Sequence, residues 1–117
     1  MGKMSQRKGA AGERELAHIL RDYYGYDVKR GSVFLGQSDM VGLPGIHPEV
    51  KRVERLNIYT AMEQAKREAE KRKDGIPVVF YRKNRAEWLV VQPLEDWMDL
   101  YGAWNDDKLQ DTEGTGA

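Results

Sequence analysis

Cysteine is absent from this chain of 117 residues. Its absence excludes disulfide bonds, thiolate zinc sites and cysteine nucleophiles, and it makes a reducing cytoplasm the default compartment. No run approaches the roughly 18 apolar residues of a membrane span, and residues 1–8 lack the apolar centre of a secretory signal, so we expect no membrane association. The length is that of one domain and is too short for a fold such as a TIM barrel.

Charge of opposite sign is segregated along the chain, although the net charge is zero. Residues 1–85 carry 18 Lys+Arg and 11 Asp+Glu, a net of +7, whereas residues 86–117 carry 1 and 8, a net of −7. This asymmetry favours a face that binds a polyanion, with an acidic end kept elsewhere. A solvated helix face followed by an acidic tail would produce the same counts.

Hydrophobic periodicity and turn residues predict an α/β fold with the element order αβββαββα, in which a small mixed sheet is flanked by helices. Asn57 is the predicted N-cap of the second helix, and the strand–helix–strand segment 46–81 favours a parallel pair. The predicted helices cover 11–24, 58–73 and a last segment from Pro93 to about 104; the predicted strands cover 26–30, 39–41, 46–53, 76–81 and 87–91. Residues 1–10 are predicted to form a mobile basic arm, and residues 105–117 an acidic disordered tail.

The tripeptide Glu49-Val50-Lys51 places a carboxylate and an ammonium group on one face of a strand, because residues two apart share a face. Asp39 precedes Glu49 by ten positions, across a Gly/Pro turn, so two joined strands would bring both carboxylates together. Such a pair in a cleft repels and usually needs a cation. Oxygen ligands without cysteine or clustered histidine suit Mg²⁺ or Mn²⁺. Alternatively, Asp39 starts a turn, and Glu49 and Lys51 form an ion pair.

Glu13 is a third candidate acid, since on a helical wheel it falls within the apolar arc of Leu16, Leu20 and Tyr24. A buried carboxylate needs a partner, which a metal site or a basic residue would supply. The alternative is that Glu13 simply favours the dipole of the first helical turn.

These residues together resemble the PD-(D/E)XK nuclease superfamily and, within it, the archaeal and phage-type Holliday junction resolvases. The resemblance covers about residues 7–100 and is carried by Arg7-Lys8-Gly9-Ala10-Ala11-Gly12-Glu13-Arg14-Glu15, Val28-Lys29-Arg30-Gly31-Ser32, Ser38-Asp39 with Glu49-Val50-Lys51, and Gln64-Ala65. Ser38 stands where the family has a proline. The resemblance implies a restriction-endonuclease-like fold for residues 1–104, including the arm.

The activity that the resemblance implies is that of a Mg²⁺-dependent endodeoxyribonuclease, which resolves four-way DNA junctions by paired symmetric nicks. Asp39, Glu49 and the Val50 carbonyl would bind Mg²⁺, with Mn²⁺ as the alternative metal, and Glu13 would add a further acid to the site. Lys51 would orient or deprotonate the attacking water, or stabilise the pentavalent phosphate. No nucleotide cofactor is expected.

DNA would be bound mainly through its phosphates, since nothing in the sequence resembles a base-reading module. The candidate contacts are Lys3, Arg7, Lys8, Arg30, Arg52, Arg55 and Lys66, together with Ser32, which matches a loop serine of the resolvases. Solvation is the alternative for each single basic residue. His18 and His47 are assigned no role.

A homodimer is expected, because a two-fold symmetric junction needs two sites. Its interface candidates are Val33, Phe34, Leu35, Trp97, Tyr101 and Trp104, although the aromatic residues could instead complete the core. Two other functions remain open: a nuclease of the same fold that acts on other DNA (nicking, flap or restriction-like), and a non-catalytic DNA-binding module. The complete set of Glu13, Asp39, Glu49 and Lys51 argues against the latter. The expected compartment is the cytoplasm, or the host cytoplasm if the chain is phage-encoded.

Overall fold

A computed structural model describes the backbone of residues 2–32 and 34–116 and the side chains of residues 9–32 and 34–108. Within these residues three helices and five strands follow one another in the predicted order. Their bounds are α1 Gly2–Tyr24, β1 Lys29–Arg30, β2 Met40–Val41, β3 Ile46–Arg52, α2 Ile58–Arg72, β4 Ile76–Arg82, β5 Leu89–Val91 and α3 Leu94–Gly116. No helix in this part of the chain combines the length and apolar character needed to cross a bilayer.

The strands form two small sheets rather than the single mixed sheet that was predicted. In the larger sheet β3 pairs with β4 in parallel, as the crossover predicted, and β4 pairs with β5 antiparallel. The smaller sheet is the antiparallel pair of β1 and β2. Each of these two strands has only two residues, and a φ of 101° at Gly42 turns the chain after β2, before it could extend along the edge of β3.

The three-stranded sheet is covered by α1 on one face and by α2 on the other. Val78 and Phe80 of β4 pack in the cluster under α1, whereas Val79 packs in the cluster under α2. This division follows from the alternation of side chains along a strand. Val50 of β3 belongs to the cluster under α1, so its neighbours on β3 face the α2 side.

Helix α2 lies close to the sheet because its buried stripe consists of alanines, Ala61, Ala65 and Ala69. The predicted N-cap is confirmed, since the Asn57 side chain accepts a hydrogen bond from the Thr60 amide at 3.1 Å. Ile58, the first residue of the helix, is exposed.

Both ends of the chain differ from the prediction. Helix α1 begins at Gly2, so the predicted basic arm belongs to the helix, and α3 continues to Gly116 through the predicted disordered tail. Extending an existing helix fixes one residue for each new hydrogen bond, so it costs far less than starting one. The aromatic face of α3 does not complete the core, since Trp97, Tyr101 and Trp104 are each about half exposed.

Candidate active site

The two charged residues of the β3 motif lie on one face of the strand, as predicted. Glu49 is only 5% exposed, and its Oε1 lies 4.0 Å from Lys51 Nζ. The same Nζ donates a 3.0 Å hydrogen bond to Gln64 Oε1 on α2. The α2 side of β3 therefore carries the ionisable groups, while Val50 points into the apolar core on the other side.

Asp39 is attached to this strand by a hydrogen bond to its backbone. The Val50 amide donates to Asp39 Oδ2 at 2.7 Å, and the Gly31 amide donates to the Asp39 carbonyl oxygen at 2.9 Å. A side chain at Gly31 would meet the Ser38 carbonyl oxygen at 1.7 Å, so glycine is what lets the ends of loop 31–38 close. Asp39 thus comes beside Glu49 without the direct pairing of β2 and β3 that the sequence suggested.

Glu13 reaches the same region because α1 approaches β3 closely at Gly12. A Cβ built on Gly12 would lie 2.6 Å from Arg52 Cβ, so a larger residue would push the helix away. Glu13 Oε2 accepts a 2.6 Å hydrogen bond from Arg30 Nε. The sequence predicted that either a metal site or a basic residue would pair with Glu13, and in the structure a basic residue does so.

All three acids have pKa values above their ordinary range. Burial, followed by repulsion from Asp39, raises the pKa of Glu49 to about 7, against the lowering effect of Lys51. Burial also raises the pKa of Asp39, although the Val50 amide and Lys51 act in the opposite direction. The pKa of Glu13 is raised by burial, opposed by its hydrogen bond to Arg30 and increased again by Asp39. Burial is thus the main reason that each of these acids favours its protonated form.

Metal binding at this site would involve few protein ligands. Among the described side chains, no group of three or more His, Cys, Asp or Glu residues converges closely enough to hold an ion. Mg²⁺ is commonly held by one or two carboxylates, with water and substrate phosphate completing the shell. Asp39 and Glu49 fit that pattern, because Glu49 is buried, Asp39 is half-buried and the two carboxylates repel one another. The Val50 carbonyl points to the same side of the strand as its amide, toward Asp39.

A polar cavity of about 240 Å³ opens beside the two acids. It is lined by Ser38, Asp39, His47, Glu49, Gln64, Glu68 and Arg72. No role was predicted for His47, Glu68 or Arg72. Two signals could have found them: His47 precedes Glu49 by two positions on one strand face, and residues 64, 68 and 72 are four apart on one helix face.

The predicted DNA-binding residues have different surroundings. Arg30 is paired with Glu13, and Arg52 donates through Nη2 to Asn84 Oδ1 at 2.8 Å. Arg55 is exposed. Lys66 lines a separate groove formed by α2 and the start of α3. Contact of these residues with DNA remains a prediction.

The remaining predicted residues lie in or near loop 31–38 and at the N-terminus. The Ser32 hydroxyl accepts a 3.4 Å hydrogen bond from the Leu35 amide and so helps to shape the loop. Phe34 and Leu35 are strongly exposed at its tip. The side chains of Lys3, Arg7 and Lys8, and the whole of Val33, lie outside the described residues.

Comparison with protein-family models gave no match, and comparison with curated proteins found no relative. The resemblance to the junction resolvases therefore rests on the motif residues and remains a prediction.

Proposed function

We propose that the chain is a metal-dependent, structure-specific DNA endonuclease with a restriction-endonuclease-like arrangement, and that it resolves four-way junctions by paired symmetric nicks. The observation that supports this most is the 2.7 Å hydrogen bond between the Val50 amide and Asp39. It holds the first acid of the motif against the strand that carries Glu49 and Lys51. The cysteine-free composition supports a reducing cytoplasm as the compartment.

Each side chain of the site has a part in this proposal. Asp39 and Glu49, with the Val50 carbonyl, would hold Mg²⁺, which when bound would polarise the scissile phosphate and lower the pKa of a water molecule. Lys51 Nζ, 4.0 Å from Glu49, is close enough to orient the attacking water or to stabilise charge on the phosphate. Glu13 would position Arg30 beside the site, because its Oε2 accepts the hydrogen bond from Arg30 Nε.

A homodimer would supply the two sites that symmetric nicking requires. In a helix of 100° per residue, Trp97, Tyr101 and Trp104 fall on one side of α3, whereas Glu95 and Asp99 fall on the other. If each of these three aromatic side chains buries about 100 Å², two copies would bury roughly 600 Å² of apolar area, which would form the apolar centre of a small interface. We therefore propose that the α3 faces of two copies pack together.

The test is cleavage of labelled four-way junctions by purified protein in Mg²⁺, in competition with duplex, flap and single-stranded DNA. Asp39→Asn removes the motif acid. Asp27→Asn is the matched control, because Asp27 is an exposed aspartate in a similar Asp-Val-Lys sequence. We expect paired nicks in the junction with wild type and with Asp27→Asn, and junction binding without cleavage with Asp39→Asn.

Unchanged cleavage by Asp39→Asn would refute the site. Metal-dependent cleavage confined to duplex or flap DNA would refute the junction substrate while leaving a nuclease. Tight binding without cleavage of any substrate would favour the DNA-binding module.

A further inference from the structure

His47 is a buried histidine with one satisfied and one unsatisfied nitrogen. Its side chain is 1% exposed. Nδ1 lies 2.9 Å from both carboxylate oxygens of Asp74, which follows it by 27 residues. Nε2 is buried and has no hydrogen-bond partner among the described residues. A buried polar atom left in this state is costly, so it calls for a ligand.

The Asp74 contact determines which nitrogen carries the proton in a neutral ring. A carboxylate only accepts hydrogen bonds, so Nδ1 must be the donor. The lone pair is then on Nε2, and His47 lines the cavity shared with Asp39 and Glu49. A carboxylate that fixes the far nitrogen of a histidine is the usual outer partner of a metal-binding imidazole, because it sets the ring orientation and raises ligand basicity.

The neighbour of Nε2 is the motif acid itself. Nε2 lies 3.8 Å from Glu49 Oε2, which is too far for a hydrogen bond. Two atoms that bind one ion at about 2.1 Å each can be up to about 4.2 Å apart, so this separation suits two ligands of a common metal.

We propose that His47 Nε2 and Glu49 Oε2 are a pair of ligands for the metal of this site, so that the site has mixed nitrogen and oxygen donors. This rests on the proposed function only in that it places the metal at Glu49. An imidazole ligand favours a transition metal, and the site should therefore bind Mn²⁺ in preference to Mg²⁺. Asp74 is a positioning residue that acts through His47.

The experiment is pulsed electron paramagnetic resonance of the full chain, free of any histidine tag, loaded with Mn²⁺. A bound imidazole gives a ¹⁴N modulation that carboxylate and water ligands do not. We expect this modulation in wild type and in His18→Gln, since His18 is an exposed histidine paired with Asp22. We expect it to disappear in His47→Gln.

Asp74→Asn provides a second variant that keeps the buried ring. Loss of an outer partner typically weakens metal binding 10- to 100-fold, so we expect a Mn²⁺ Kd raised by about that factor in calorimetric titration. Circular dichroism would verify the fold of each variant. If His47→Gln does not fold, the wild-type spectrum and the Asp74→Asn titration still decide the question.

Three results are distinguishable. Mn²⁺ bound to wild type without ¹⁴N modulation would overturn the role of His47 and leave the proposed nuclease intact. Failure of wild type to bind Mn²⁺ would overturn both proposals. A ¹⁴N signal lost in His47→Gln, in a protein that cleaves no DNA, would support the ligand and refute the nuclease.

Discussion

Glu49→Gln should stabilise the metal-free protein at neutral and alkaline pH. The pKa of Glu49 is raised to about 7 from an ordinary value of 4.5, chiefly by burial. At about 1.4 kcal/mol for each pH unit, ionising this carboxyl in the folded protein costs ~3 kcal/mol relative to the unfolded chain. Because a raised pKa favours the protonated form on folding, its stabilising effect is present below pH 4.5 and is lost as the pH rises through 7. Glutamine mimics the protonated acid at every pH.

The gain is smaller than the full cost, because the variant also loses the attraction between Glu49 and Lys51. We therefore expect the free energy of unfolding to rise by about 1–3 kcal/mol at pH 8, with little change at pH 4.5. The measurement is urea denaturation in EDTA across this pH range. Glu63→Gln is the matched control, since it alters an exposed glutamate of α2 and should change stability by less than about 0.5 kcal/mol. A Glu49→Gln variant that is less stable than wild type at pH 8 in EDTA would refute the reasoning.

Three further predictions concern DNA binding, packing and assembly. The logarithm of the affinity for a four-way junction should fall linearly with the logarithm of the salt concentration. Arg55→Ala should reduce that slope by about 1 if Arg55 contacts phosphate. A slope near zero in wild type would contradict phosphate binding. Gly12→Ala should lower the free energy of unfolding by about 1–3 kcal/mol in urea titrations, because its Cβ would meet β3. Gly9→Ala, with open space around it, should instead stabilise the protein by about 0.5–1 kcal/mol. Equal effects of the two variants would show that α1 does not depend on its close approach to β3. Trp97→Ser should shift sedimentation equilibrium toward the monomer, while Tyr59→Ser, at an exposed aromatic on α2, should not; a dimer that persists in Trp97→Ser would exclude the α3 interface.

The candidate site was predictable where it depended on local backbone geometry. Glu49 and Lys51 share a face because side chains alternate along any strand. Asp39 could be paired with Glu49 because a short turn separates them in the sequence. The partner of Asp39, however, is the Val50 amide rather than a neighbouring strand residue, and the path of loop 31–38 that allows this depends on a close backbone approach at Gly31.

The strand face of His47 could be predicted from the sequence, but the contact that orients its ring could not. The orientation of the His47 ring depends on Asp74, which follows α2 in the sequence and contacts the ring across 27 residues. Likewise, Arg30 was predicted to contact DNA, but the packing of α1 against β1 pairs it with Glu13. Neither partner can be inferred from spacing, because each depends on how two elements pack.

The order of the elements, the parallel β3–β4 crossover and the N-cap at Asn57 could be predicted from the sequence alone. These follow from periodicity, capping and chain direction, which act over a few residues or over one short connection. Three features could be seen only in the folded chain: the strands form two sheets, the aromatic face of α3 stays exposed, and His47 lines one cavity with Asp39 and Glu49. These features depend on which helices and strands pack against each other, because burial and electrostatic interactions act between residues that are far apart in the sequence.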